Sequence, residues 1–251
     1  MQKLLLLIII TITAVFLKGQ SSSKSSDNLE TKTISLENFD KIDSDMVFSV
    51  EVRKSNEEKV MITSNYLRFV EINVKNNTLQ IGYKKKQAME NVNTRIVIYA
   101  KNVKSVSARM GSVVKMKNIF DVETFFTETG GKIFGDSNAK NININTRSGG
   151  SFLGTINTEN LILKAESGSS INTQGKIGAA KISSEGASDI IALKTNISVA
   201  TVNAESASSV SLSVSKELTA SASSMAKIRY KTLSGIKFSA TRDSGGTIDS
   251  I

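Results

Sequence analysis

From residue 109 onward two columns of apolar residues recur in step, and that coupling restricts the fold more than any other feature of the chain. The first column runs Val113, Ile133, Phe152, Ile171, Ile190, Val210, Ile228 and Ile248, at intervals of 20, 19, 19, 19, 20, 18 and 20 residues. The second runs Val122, Ile142, Leu161, Ala180, Ala200, Leu218 and Phe238, at intervals of 20, 19, 19, 20, 18 and 20. Where one column gains or loses a residue, so does the other. The chain therefore repeats one unit of about 19 residues that carries two strands. A unit that short cannot bury its own apolar face, so successive units must stack and pair their backbones along a common axis.

Two residues before each first-column position stand Gly111, Gly131, Gly150, Ser169, Ser188, Ser208, Ala226 and Gly246. All are small, as a tight corner repeated in register requires, and glycine there supplies a positive φ at no steric cost. The second strands alternate, as in Leu161, Leu163 and Ala165, or Ala200, Val202 and Ala204, which turns small apolar side chains to one face of a narrow coil. The expected architecture is all-β, a coil of stacked rungs of about 19 residues with two strands each. Its regular part, residues 109–251, spans seven steps of roughly 4.8 Å, or about 34 Å. Leucine-rich repeats would need several Leu at fixed places, and WD-type blades a longer period and Trp, which is absent. A β-sandwich has similar single strands, but nothing in it locks two columns in phase.

Ahead of the repeat, residues 31–108 contain short runs such as MVFSVEV (46–52), KVMITS (59–64), TLQIGY (78–83) and TRIVIYA (94–100), bounded by polar turn residues. These read as strands of a less regular β segment continuous with the coil. The chain has no proline, in keeping with strands that all donate to ladders. Residues 20–30 are Ser-rich and read as a flexible leader. Residues 1–19 place Lys3 before an apolar run from Leu4 to Leu17, the pattern of a secretory signal peptide cleaved near Gly19. That run is short for a membrane span, and no second one follows.

Export without cysteine excludes disulfides and a lipidated N-terminal Cys. The chain also lacks His, which removes imidazole-based nucleophile pairs and the commonest transition-metal ligands. Loss of Lys3 and Lys18 with the signal takes the formal charge from +9 to about +7. A basic exported surface suits an anionic glycan or headgroup. Nucleic acid is disfavoured, because aromatics are few and the lysines are scattered apart from Lys84, Lys85 and Lys86.

The N-terminal stretch ISLENFDKIDSDMVFSVEVRKSNEEKVMITSNYL (34–67), with its Phe-Asp-Lys-Ile segment and following strand pair, resembles the opening of the head GIN domain family. The SGGS, SGSS and GASD corners resemble that family's Gly-Ser repeats. The likeness covers residues 31–250. It implies an all-β right-handed parallel β-helix (solenoid), pectin-lyase-like in shape but without catalytic residues, common among exported proteins of Bacteroidetes, and a role in adhesion inferred from shape. Ala187, Ala207 and Ala226 depart from the family's glycines.

Five residues before each first-column position stand Glu128, Arg147, Glu166, Glu185, Glu205, Ser223 and Asp243. Stacked in register, Glu166, Glu185 and Glu205 form a carboxylate ladder whose repulsion a Ca²⁺ ion or nearby Lys164 and Lys181 could relieve. No other cofactor is expected. Arg147 between two glutamates keeps open a lyase-like reading, though a glycosidase normally adds a cleft and aromatic platforms. Asn141, Asn143 and Asn145 alternate outward. Three functions fit: a non-catalytic adhesion or interaction module meeting a surface glycan or protein, a binder or lyase of an anionic polysaccharide, or a purely structural envelope component. The N-terminal strands are expected to cover one end of the coil. The other end, at GGTIDSI, is left without an evident cap and open to homo-oligomer formation.

Overall fold

The computed structural model describes residues 28–84, 89–232 and 235–251; the proposed signal peptide and nearly all of the leader lie outside them. Every described element is a strand except one 3₁₀ turn, Leu67–Phe69. From Ser105 the chain alternates between two parallel ladders. The first ladder stacks Ser105–Arg109, Thr124–Glu128, Asn141–Arg147, Thr158–Glu166, the later halves of three long strands and finally Lys237–Arg242. The second stacks Val113–Met116, Lys132–Phe134, Ser151–Thr155, the earlier halves of the long strands, Lys227–Lys231 and Thr247–Ser250. The product is a β-solenoid of about eight turns at a spacing of about 19 residues.

Pairing reproduces the expected drift: Phe125, Ile144, Leu163, Ile182, Val202, Ala220 and Ala240 lie opposite one another in succession. Within this inward column Phe125, Ile144, Leu163, Ile182, Val202 and Ala220 are all at most 2% exposed. Facing them, Ile133, Phe152, Ile171, Ile190, Val210, Ile228 and Ile248 form the other wall. One buried cluster runs unbroken from Phe39 to Ile248, so the two β segments share a core.

The corners correct the sequence reading in two ways. Ile133 pairs with Val114 and Lys132 with Val113, so buried Ser112, not Gly111, occupies the first corner position. Two adjacent valines satisfy either phase, and only the pairing decides between them. The positive φ values also fall elsewhere. They occupy two successive residues just before the expected positions, as at Thr129 and Gly130 (49° and 73°) or Ser206 and Ala207 (55° and 58°). That is the pattern of a type I′ turn, closed by Gly131 N–H to Glu128 O at 2.9 Å and Gly150 N–H to Arg147 O at 3.0 Å. Gly131 and Gly246 are needed for a different reason: a Cβ there would lie 2.0 Å from Ala108 O and 2.1 Å from Ala222 O, in the backbone of the preceding rung.

Where the corner carries serine, the hydroxyl bridges that gap. Ser188 Oγ accepts the Glu185 N–H at 3.1 Å and donates to Ala165 O at 2.8 Å, and Ser169 and Ser208 repeat the arrangement one rung on either side. Ser188→Ala removes a buried hydroxyl that supplements the ladder bond between these two groups, as Ser208 Oγ supplements the Glu205 N–H to Ser184 O bond of 2.9 Å. The expected cost is about 1 kcal/mol, roughly 2–4 °C in Tm for a domain of this size. Thermal denaturation with an unchanged Tm would contradict the bridge.

The N-terminal segment does not simply add rungs in chain order. Lys41–Ser44 and Ser49–Lys54 stack on Ser105–Arg109 and Val113–Met116, and Thr78–Tyr83 and Thr94–Ala100 then stack in parallel on their other side. Thr94–Ala100 thereby separates Ser49–Lys54 from Lys59–Ser64, the two strands that adjoin in sequence. Antiparallel strands finish this end: Val70–Lys75 on Thr78–Tyr83 across an Asn76-Asn77 turn with both φ positive, and Lys59–Ser64 followed by Glu30–Ser35. At the opposite end, among the described residues, no strand pairs beyond Lys237–Arg242 and Thr247–Ser250. Phe238 there is 41% exposed, whereas Leu218 in the same column is fully buried. Arg242 takes the position of the small inward Ala222 and donates to Ile248 O at 2.8 Å, laying a charge across the open mouth.

Candidate functional site

The outward residues of the first ladder carry the predicted carboxylate column. Glu128, Arg147, Glu166 and Glu185 lie opposite one another rung by rung, and Ser184 pairs with Ala204, which brings Glu205 next in line. Three of these carboxylates, Glu128, Glu166 and Glu205, are met by side chains of the protein itself. Arg147 Nε lies 2.8 Å from Glu128 Oε1 and its guanidinium covers Phe126 at 5.0 Å, Lys164 Nζ lies 2.6 Å from Glu166 Oε1, and Asn203 donates to Glu205 at 2.7 Å. Arg147 is thus held in an ion pair rather than presented as a base. Among the described residues no three acidic side chains come together closely enough to hold a metal ion. The cation reading has a direct test: a Tm raised by Ca²⁺ in the wild type, and not in E166Q/E185Q/E205Q, is its signature, and an equal response in both would remove it.

Near the N-terminal end of the same ladder, a hollow of about 280 Å³ is lined by Asp43, Asp45, Glu71, Gln80 and Arg109. Burial raises the Asp43 pKa even though the Arg109 guanidinium pairs with it and opposes the shift. The one cation that lines this hollow is engaged by Asp43.

The second ladder's outer face differs. Reading down one register, the outward residues are Lys115, Phe134, Leu153, Asn172 and Ile191. Phe134 is 37% exposed, Leu153 45% and Ile191 39%, with Leu193 beside them at 36%. Next in sequence after Phe134 and Leu153 come Gly135 and Gly154, which have no side chain to fill the surface. Gly154 admits none, since a Cβ there would lie 1.9 Å from Gly135 O, and a Cβ on Gly135 would lie 2.8 Å from Met116 Sδ and displace that side chain. The result is a groove of about 440 Å³ with Phe134, Leu153 and Met116 along one wall and Asp136, Thr155, Gln174 and Lys194 along the other. Asp136 is committed to the Thr155 N–H at 2.6 Å, and Gln174 donates to Thr155 Oγ1 at 3.0 Å, so the polar wall is fixed by its own bonds. The pairs Phe134-Gly135 and Leu153-Gly154 recur at the repeat period, so the signal was present in the sequence; it is lost when only inward columns are followed.

The family model described as "putative auto-transporter adhesin, head GIN domain" matches residues 38–232. The chain belongs to the head GIN domain family. Among solved structures, a "putative adhesin" from Parabacteroides merdae ATCC 43184 superposes with a TM-score of 0.83 at 17% identity, over 92% of this chain and 99% of that one. A "putative lipid binding protein" from Parabacteroides distasonis ATCC 8503 gives 0.83 at 19%, over 90% and 98%. A "putative adhesin" from the same strain gives 0.80 at 14%, over 89% and 97%. At these identities the likeness establishes the fold. No curated protein matches this head GIN domain chain. No described helix is long and apolar enough to cross a membrane.

Proposed function

We propose that this head GIN domain protein is a non-catalytic, exported recognition module of adhesin type, which engages its partner across the outer face of the second ladder. The observation that carries the reading is the groove floored by Gly135 and Gly154. It is a preformed concavity within the size range of ligand sites, with an apolar wall and a set of fixed polar groups opposite. Exposed apolar side chains scattered singly need no explanation, but Phe134 and Leu153 adjoin in one register and Ile191 and Leu193 lie beyond Asn172 on the same face, a grouping that supports an interaction surface. The family's adhesin description and the apolar leader at residues 4–17 support a location beyond the inner membrane. The absence of His and Cys from the chain, and the pairing of Arg147 with Glu128, support a role without catalysis.

The test is binding of purified residues 20–251 to whole bacterial and host cells. Leu153→Asp places a charge on the groove wall without touching the core. Ile162→Asp does the same at an equally exposed apolar residue of the first ladder, 47% exposed against 45%. Loss of cell binding in L153D alone is the expected result. Binding retained in both variants would overturn the assignment to this face.

A further inference from the structure

The groove is continuous with a cluster of cations. At the N-terminal end of the same outer face, Glu51 is only 13% exposed and receives three cationic side chains: Arg53 at 2.5 Å, Arg95 at 3.5 Å and Lys117 at 3.9 Å. Burial works against the Glu51 charge, yet Arg53, Lys117 and Arg95 together hold its pKa below the ordinary value, so it stays ionised. One carboxylate cannot neutralise three cations; it gathers them and leaves a positive surplus facing water. Lys115 sits in Glu51's own register one rung on, with its ammonium 5.8 Å from the Phe134 ring centroid. Lys117 and Lys115 therefore stand where the groove begins, and Lys194 lines its far end. Four rung steps separate the two ends, about 19 Å at the usual strand spacing.

We propose that the occupant of this surface is an acidic oligosaccharide, lying along the groove with an anionic substituent on the Arg53, Arg95, Lys115 and Lys117 cluster. The inference rests on the groove being the recognition surface and names its ligand class. A sugar ring offers a C–H face and a hydroxyl rim, and the groove offers an apolar wall of Phe134 and Leu153 facing a polar wall of Thr155 and Gln174. An acyl chain would satisfy only the first wall and strip water from the second, which disfavours it. Charge complementarity selects the acidic member of the class: four cations against the single carboxylate of Glu51 at one end, and Lys194 at the other. Asp136, the groove's own acid, is tied to a backbone N–H.

The experiment is an array of uronate, sialate, sulfated and neutral glycans, probed with residues 20–251, alongside sedimentation with phosphatidylglycerol vesicles. The expected result is binding to acidic glycans at least tenfold tighter than to their neutral counterparts. K115E/K117E and L153D should each lose at least tenfold, and Lys181→Glu, on the outer face of the first ladder, should change nothing. Equal binding to neutral and acidic glycans, or vesicle binding that K115E/K117E abolishes while no acidic glycan binds, would overturn the acidic-glycan assignment. Cell binding that depends on Leu153 with no acidic glycan bound would likewise overturn it and leave the recognition face standing; cell binding indifferent to Leu153 would remove the face itself.

Discussion

Replacing Gly131 with alanine should lower stability by about 3 kcal/mol, roughly 6–12 °C in Tm, although it adds a single methyl group. The reason is local: the new Cβ would stand 2.0 Å from Ala108 O and 2.5 Å from its carbonyl carbon, both in the backbone of the rung below. Backbone in a stacked ladder cannot step aside without breaking the ladder. Gly168→Ala is the matched control. Gly168 has φ +69° and nothing within 4 Å of a built Cβ, and the equivalent turn position holds Ala187 at φ +57° in the next rung. Its cost is the left-handed conformation alone, about 1 kcal/mol. Urea or thermal denaturation of the two variants measures the difference. Equal destabilisation would mean that conformation, and not close approach, governs the corners.

The second large effect belongs to the widest part of the core. Phe125 and Phe152 come from opposite ladders, are at most 1% exposed, and meet with ring centroids 4.8 Å apart. Each Phe→Ala change should cost about 4 kcal/mol through lost burial and the cavity left behind, or roughly 8–16 °C in Tm. The double variant should cost less than the sum by about 1 kcal/mol, because the ring pair is lost only once. Glu128→Gln, which breaks the most regular ion pair of the surface column, should cost less than about 1 kcal/mol, since both partners are partly exposed. A Phe125→Ala effect no larger than that of Glu128→Gln would place the stability of the coil outside its interior.

The regular coil was legible because its information is one-dimensional. Insertions at one column reappear at the other, and the pairing of Leu163, Ile182, Val202 and Ala220 repeats the intervals 19, 20 and 18 read from the residues. Local ambiguity was not resolvable in the same way: Val113 and Val114 fit equally well, and the choice displaced the first corner from Ser112 to Gly111. Turn chemistry also misled, because one glycine column served two purposes, left-handed φ at Gly130 and Gly149 but backbone proximity at Gly131 and Gly150. The threading of Thr94–Ala100 between Ser49–Lys54 and Lys59–Ser64 depends on which strands bury each other's faces, and no local signal specifies it. The groove escaped because its walls are outward residues, and a period search weighs inward ones. The register of the glutamate column follows from the repeat interval, and Lys164, two residues before Glu166 on the same side of its strand, is placed to pair with it; the contact from Asn203 to Glu205 depends on rotamers the sequence does not fix.

Because the chain contains no cysteine, a single one introduced by Leu153→Cys or Ile162→Cys gives a unique attachment point for a photo-activated cross-linker on each ladder's outer face. Irradiation of the two labelled proteins on whole cells, followed by recovery of covalently captured cell-surface material, reports directly which face touches a partner. Capture from position 153 and not from position 162 is the predicted result. Equal capture from both positions, or capture from 162 alone, would contradict recognition through the groove face.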